Sequence, residues 1–289
     1  MLKITPPSGG RYTFGIVGHP LGHSLSPALH GWVYEKTGLN ATYLPFPTLP
    51  GDLPGFISKV RNDPIHGLSV TIPHKQAVLE LVDGLDGLAE KIGAANTLYW
   101  KEGRLLGANT DVEGFIFPLS NRKFTTDAAL VLGAGGAARA VLAGLRQMNP
   151  ACDIFIAARN PQRASSLAAD FAGTPIPWEK RTGVKAGIIV NTTPMGMFGG
   201  SGEQETPLDL SGLEAILPPD GSGLVYDLVY RPLATPFLQT AKQLPCSVQD
   251  GLDMLIAQGM AQVRLWTGLE NLPLPAEARK MLLDKRLIA

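Results

Sequence analysis

The sequence predicts an α/β chain in two domains: an N-terminal α/β domain completed by C-terminal helices, with a second α/β domain inserted between. Three observations carry this. Strand patterns alternate with helical ones from Thr13 onward. A fresh βαβ series begins near Asp127. A long helical pattern, Asp250 to Gly268, lies beyond the last strand of that series and is expected to pack on the first domain. A length of 289 residues also suggests two domains. The expected boundaries are 1–110 with 250–289 for the first domain and 111–249 for the insert.

In the first domain, Thr13 to Val17 reads as a short strand. A loop rich in glycine and proline follows from Gly18 to Pro27. Ser26 then Pro27 reads as an N-cap and first-turn proline, and the helix should run to Thr37 with Gly38 as C-cap. Tyr43 to Phe46 is a second strand, Leu53 to Val60 a helix, and Gly67 to Ile72 a third strand. Pro73 is expected to start another helix. Ala94 to Tyr99 and Arg104 to Gly107 read as a hairpin. In the insert, strands are expected at 128–132, 153–157, 186–190 and 223–229. Residues 199–222, rich in Gly, Ser, Pro and acids, read as a surface loop, with 199–203 either a lid or a plain connection.

Composition excludes several classes. The formal net charge is zero and charged residues make up 17%, so nothing invites nucleic acid or an acidic membrane surface. No apolar run reaches the roughly 18 residues that span a bilayer, and the N-terminal stretch lacks the apolar core of a secretory leader. Cys152 and Cys246, far apart in sequence, suit free thiols in a reducing cytoplasm. The histidines (His19, His23, His30, His66, His74) form no helix-borne H-x-x-x-H pair and no cysteine cluster accompanies them, so no metal site is expected.

Residues 130–139, LVLGAGGAAR, are the most informative stretch. An apolar strand meets Gly133, Gly135 and Gly136, and a small-residue helix follows. Gly133 allows the turn, Gly135 gives a pyrophosphate room against the backbone, and Ala138 lets helix and strand pack closely. The helix N-terminus then supplies N–H groups and a positive dipole end for phosphates. About 20 residues on, where a carboxylate would bind the ribose 2′-hydroxyl of NAD, stand Arg159 and Arg163 instead. Two guanidiniums suit a 2′-phosphate, so the Rossmann-type insert is expected to bind NADP(H).

Outside the insert, four segments are unusually polar for their surroundings: Ser24 and Ser26; Ser69, Thr71 and Lys75; Asn96 and Thr97; Asn109, Thr110 and Asp111. Hydroxyls, amides, one amine and one carboxylate suit a small polyhydroxylated acid. Lys75, expected in a first helical turn, and Asp111, at the start of the next helical pattern, could hold one substrate hydroxyl between them and handle its proton during hydride transfer.

Over almost its whole length the chain resembles the shikimate dehydrogenase family. The residues are GHPLGHSLSPALH (18–30), GLSVTIPHK (67–75), GAANTL (93–98), GANTDVEG (107–114), GAGGAARA (133–140), NTTPMG (191–196), YDLVY (226–230) and DGLDMLIAQG (250–259), in the family's order. The resemblance implies an oxidoreductase of aromatic amino-acid biosynthesis that reduces 3-dehydroshikimate to shikimate with NADPH. It implies Lys75 and Asp111 as the catalytic pair and Ser24 and Ser26 on the carboxylate. Ser69, Thr71, Asn96 and Gln258 fall on the ring hydroxyls, and Tyr230 lies near the substrate. For the cofactor it implies Gly133, Ala134, Gly135, Gly136, Ala137 and Ala138 on the pyrophosphate, and Arg159, Asn160 and Arg163 around the 2′-phosphate. Thr192, Thr193, Pro194, Met195, Val229 and Gly251 fall on the nicotinamide side. Two residues depart from the family: Ser69 and Ala158 both stand where asparagine is common. A quinate/shikimate dehydrogenase using NAD(P) is the alternative, and a non-catalytic NADP- or metabolite-binding regulator a remote one. The expected protein is a cytoplasmic monomer or homodimer.

Overall fold

The computed structural model describes residues 10–63, 65–120, 127–285 and 287–288. The stretch read for a secretory leader lies outside them through residue 9. The chain forms two compact units, Met1–Gly114 with Leu255–Leu287, and Phe115–Met254 with Ile288–Ala289.

The first unit runs β1 (Tyr12–Gly18), α1 (Ser26–Thr37), β2 (Ala41–Pro47), α2 (Leu53–Val60), β3 (Gly67–Val70), β4 (Gly84–Leu85), α3 (Gly87–Ile92), β5 (Thr97–Lys101) and β6 (Arg104–Ala108). The short α4 (Asp111–Ile116) begins at its edge. The sheet order is β2-β1-β3-β5-β6-β4, parallel around β1 and antiparallel from β3 to β6. Leu53, Ile57 and Val60 recur at helical spacing on α2 and are buried against Val17, Leu68, Val70 and Leu98. Each such side chain contributes about 1.5–3 kcal/mol by leaving water.

Two expectations change here. Ser26 is the first helical residue, not the cap; its own N–H donates to Ser24 Oγ at 3.3 Å, and its side chain is buried. No α-helix starts at Pro73. Residues 71–76 form turns, with His74 N–H donating to Thr71 O at 2.9 Å, and a 3-10 helix follows only at Ala77–Leu81. The Lys75 carbonyl, which a helix would use internally, accepts instead from Ala95 N–H at 2.8 Å.

The second unit runs β7 (Ala128–Leu132), α5 (Gly136–Met148), β8 (Asp153–Ala158), α6 (Pro161–Phe171), β9 (Thr174–Pro177), β10 (Ile188–Asn191), α7 (Leu210–Ile216), β11 (Leu224–Asp227), α8 (Pro236–Ala241) and β12 (Ser247–Gln249). Its sheet, β12-β11-β10-β7-β8-β9, is parallel throughout. Numbered within this unit the order is the Rossmann 3-2-1-4-5-6, with the switch point between β7 and β10. The span read as a surface loop contains α7. Asp209 caps it, accepting from Gly212 N–H at 2.8 Å, and Leu208, Leu213, Ile216 and Leu217 enter the core. Residues 196–205 are turns, tied by Gly196 N–H to Gly202 O at 2.8 Å and by Phe198 N–H to Arg231 O at 2.9 Å.

The chain ends in α9 (Leu252–Thr267) and α10 (Pro275–Asp284). Within the first unit, Trp266 stacks on Phe14 at 4.9 Å and donates its indole N–H to Leu98 O at 2.9 Å. Gly67 makes that fit possible, because a Cβ there would meet the indole at 2.5 Å. Among the described residues no helix is long and apolar enough to cross a membrane.

Candidate functional site

In the first unit the polar segments meet where β1, β3 and β6 end and β5 begins. His19 N–H donates to Ile72 O at 2.9 Å and Thr71 N–H to Val17 O at 3.0 Å. These bonds join the Gly18–Pro27 loop to the 71–75 turn. Gly18 is required for it: a Cβ there would lie 2.3 Å from Thr71 Cγ2. Asn96 N–H donates to Ala108 O at 3.0 Å and Val70 N–H to Asn96 O at 2.7 Å, so the segment before β5 is stitched to both neighbours.

Lys75 and Asp111, 36 positions apart, are in contact: Nζ donates to Oδ2 at 2.5 Å. Both side chains are largely buried, at 15% and 6% exposure. The other carboxylate oxygen accepts from Asn96 Nδ2 at 2.9 Å, and the same amide reaches Gln258 Oε1 at 3.2 Å and Thr110 Oγ1 at 2.9 Å. Asp111 N–H donates to Asn109 Oδ1 at 3.0 Å, and Asn109 Nδ2 to Ala94 O at 2.8 Å, which fixes the start of α4. Ser26, Ser69, Asn96 and Gln258 are buried; Ser24, Thr71 and Lys75 are half-buried. Ser69 faces inward, accepting from Tyr43 Oη at 2.6 Å and donating to Gln262 Oε1 at 2.7 Å. An amine against a carboxylate, ringed by amides and hydroxyls, can hold an alcohol oxygen and exchange its proton.

In the second unit the glycine turn follows β7 at the switch point. Gly133 has φ +112°, and a Cβ there would lie 2.4 Å from Thr192 Oγ1. That hydroxyl donates to Leu132 O at 2.8 Å, which sets the Thr192–Met195 loop beside the turn. Gly135 is the N-cap of α5 and has open space where a Cβ would stand. Ala138 is fully buried under the helix. Arg159 and Arg163 lie just beyond β8, both exposed, and take no ion pair among the described residues. Asn160 between them caps α6, accepting from Arg163 N–H at 2.9 Å. An open glycine turn, a 13-residue helix N-terminus and two free guanidiniums fit a dinucleotide carrying an extra phosphate. Gly251 N–H donates to Val229 O at 3.2 Å, and a Cβ on Gly251 would clash with Leu228 O at 2.1 Å. Tyr230 is half-buried in this unit. Among the described residues no group of His, Cys, Asp and Glu could hold a metal ion.

Sequence reasoning missed three side chains that organise these clusters. Tyr43 and Gln262 lie behind Asn96, and Asp227 is fully buried at the end of β11. A signal existed for Gln262, which is four residues from Gln258 and so on one face of α9. Tyr43 carried none, because a tyrosine in a strand is ordinary.

A parallel sheet of this order, with its glycine turn at the switch point, defines a nucleotide-binding α/β protein of the Rossmann type. Two family models match: the shikimate dehydrogenase substrate binding domain over residues 16–98 and the shikimate 5′-dehydrogenase C-terminal domain over residues 251–272. The NADP(+) shikimate dehydrogenase of Oleidesulfovibrio alaskensis is 47% identical over 281 residues, 97% of this chain and 98% of the relative. The shikimate 5-dehydrogenase of Thermus thermophilus, solved in complex with NADP(H) and shikimate, superposes with a TM-score of 0.81 at 40% identity, over 96% of this chain and 99% of that one. A quinate dehydrogenase of Corynebacterium glutamicum, in complex with NAD, gives 0.82 at 31% identity, over 95% and 99%. The chain belongs to the shikimate dehydrogenase family.

Proposed function

We propose that this chain catalyses the reversible reduction of 3-dehydroshikimate to shikimate with NADPH. The observation that carries the assignment of roles is the 2.5 Å contact between Lys75 Nζ and Asp111 Oδ2, buried beside Asn96 and Gln258. When bound, the reduced nicotinamide supplies the hydride that adds to the C3 carbonyl carbon. Lys75 faces the C3 oxygen, stabilises the negative charge growing on it and delivers the proton that completes the alcohol. Asp111 holds the Lys75 amine and orients the same oxygen. Asn96, Thr71 and Gln258 bind ring hydroxyls, and Ser24 and Ser26 bind the carboxylate. In the second unit the Gly133–Ala138 turn holds the pyrophosphate and Arg159 with Arg163 the 2′-phosphate. Thr192 to Met195, Val229 and Gly251 form the nicotinamide side, and Tyr230 is assigned to the substrate. We place the protein in the cytoplasm, as its two free thiols suit, as a monomer or homodimer.

The test follows reduced-nicotinamide absorbance with shikimate or quinate, each offered with NADP and with NAD. Turnover should be greatest with shikimate and NADP. Preference for quinate with NAD would replace this reading by the quinate one. Lys75→Ala should lower kcat by about a hundredfold or more. Turnover near that of the unaltered protein would end the assignment of the pair.

A further inference from the structure

Behind the Lys75–Asp111 pair runs a buried line of hydrogen bonds that points one way. Tyr43 Oη donates to Ser69 Oγ at 2.6 Å, and Ser69 to Gln262 Oε1 at 2.7 Å. Gln262 Nε2 donates to Thr97 Oγ1 at 3.0 Å, and Thr97 to Asn96 Oδ1 at 2.8 Å. Asn96 Nδ2 then donates to Asp111 Oδ1 at 2.9 Å. All six side chains belong to residues no more than 8% exposed.

Two main-chain groups impose the direction. Gln262 Nε2 also meets the carbonyl of Asn96 at 3.1 Å, which only accepts, so the amide nitrogen must face it. Gln262 Oε1 is thereby turned to Ser69. Ser69 must donate, and Tyr43 must donate to Ser69. At the other end, Thr110 N–H reaches Asn96 Oδ1 at 2.8 Å and only donates. Asn96 therefore presents its NH2, not its carbonyl, to the carboxylate. A flipped amide would set oxygen against oxygen at Asp111 and leave the Thr110 N–H without its acceptor. In a buried site each mismatch is costly.

From this directed line we infer that Tyr43, Ser69 and Gln262 are positioning residues for the reaction, acting through Thr97 and Asn96 to hold Asp111 in register with Lys75. The inference rests on the catalytic pair named under Proposed function. It gives Ser69 a role other than direct contact with the substrate. Its hydroxyl proton is engaged by Gln262 and one lone pair by Tyr43, so it has no proton left to offer a ligand.

The experiment compares Ser69→Ala, Ser69→Thr, Tyr43→Phe and the Ser69→Ala/Tyr43→Phe double variant with the unaltered enzyme. It measures kcat, the shikimate Kd by calorimetry without cofactor, and thermal melting to establish that each variant folds. Ser69→Ala should lower kcat about five- to tenfold, the scale of one buried hydrogen bond, with the shikimate Kd unchanged within about twofold. Ser69→Thr, which keeps the hydroxyl, should restore turnover. Tyr43→Phe should lower kcat less, and nothing further in the Ser69→Ala background, because the line is already cut there. Should Ser69→Ala not fold, Tyr43→Phe carries the test, since the ring still stacks on His30 at 4.2 Å. Unchanged kcat in folded variants, a loss confined to Kd, or multiplying effects would each overturn the inference. Lys75→Ala runs alongside. Full turnover there would remove the catalytic pair and the positioning role with it. Loss there, with Ser69→Ala and Tyr43→Phe unaffected, would remove the positioning role alone.

Discussion

Asn191 Nδ2 donates to Asp227 Oδ1 at 2.9 Å and so ties the C-terminal ends of β10 and β11, next to the switch point of the nucleotide-type sheet. Asp227 also accepts from Val229 N–H at 3.0 Å and Thr235 Oγ1 at 2.7 Å. Asn191 Oδ1 meanwhile accepts from Thr193 N–H at 3.0 Å and Thr193 Oγ1 at 2.7 Å. One buried carboxylate thus anchors both loops that we assign to the nicotinamide side.

Burial pushes the Asp227 carboxyl up from 3.8 to about 7, against the opposing pull of its Thr235, Val229 and Asn191 donors. Between those values the folded unit holds a proton that the unfolded chain has lost. The contribution to stability is full below pH about 4 and is lost as pH rises through about 7. Asp227→Asn removes this dependence. The stability of the unaltered protein relative to Asp227→Asn should therefore fall by up to about 1.4 kcal/mol per pH unit across that window. Urea unfolding at a series of pH values measures it, and parallel curves for the two proteins would refute it.

His30 has the opposite sign and belongs to the first unit. It is fully buried, stacked on Tyr43, and among the described residues neither ring nitrogen has a hydrogen bond of ordinary geometry. Burial lowers its pKa from 6.5 to about 3, only partly offset by neighbouring Gln262. Here the unfolded chain binds the extra proton. Stability is full above pH about 6.5 and lost as pH falls toward 3. Relative to His30→Phe, the unaltered protein should lose up to about 1.4 kcal/mol for each pH unit of acidification in that window. The same urea series detects it. A difference between the two proteins that stays constant with pH would mean the ring is not held neutral.

What the sequence disclosed follows from how local each signal is. The helix expected around Leu53 to Val60 is α2, and the β7–turn–α5 unit stood out because its glycines have a steric reason to be there. β9 was hidden by Pro175 and Pro177, which an edge strand tolerates. α7 was hidden because its apolar residues sit in a span dominated by Gly, Ser and Pro. The helix expected at Pro73 failed on a long-range bond, Ala95 N–H to Lys75 O. At the site, the residue types and the family resemblance already led to Lys75 and Asp111 as a pair, although they stand 36 positions apart. The line from Tyr43 through Ser69 and Gln262 was not foreseen, because it joins segments up to 193 positions apart, which no local pattern encodes.

The two glycines of the turn should respond differently to the same change. Gly133→Ala forces a side chain into φ +112° and against Thr192 Oγ1, so it should lower both melting temperature and NADP affinity. Gly135 has φ −98° and open space around a would-be Cβ. Gly135→Ala should lower melting less than Gly133→Ala, by no more than the loss of a favourable N-cap residue, yet weaken NADP by about 1–3 kcal/mol as the methyl intrudes on the pyrophosphate. Calorimetric titration with NADP beside a melting curve separates the two. Undiminished affinity in a folded Gly135→Ala would remove the turn from the cofactor site.

Arg159 and Arg163 are exposed and free of ion pairs among the described residues, so the fold has little use for either charge. Their value should appear only with a ligand that carries a phosphate at that position. Arg159→Ala should therefore leave melting and NAD affinity unchanged while weakening NADP by about 1.5–3 kcal/mol, the range for a charged hydrogen bond. The NADP KM should climb with ionic strength in the unaltered enzyme more steeply than in Arg159→Ala, because an exposed ion pair is screened by salt and a missing one is not. Replacing the arginine by aspartate should go further, repelling the 2′-phosphate and offering the 2′-hydroxyl an acceptor, so that preference moves toward NAD. Equal losses for NADP and NAD in Arg159→Ala would show that the guanidinium supports the adenosine as a whole and does not read the phosphate.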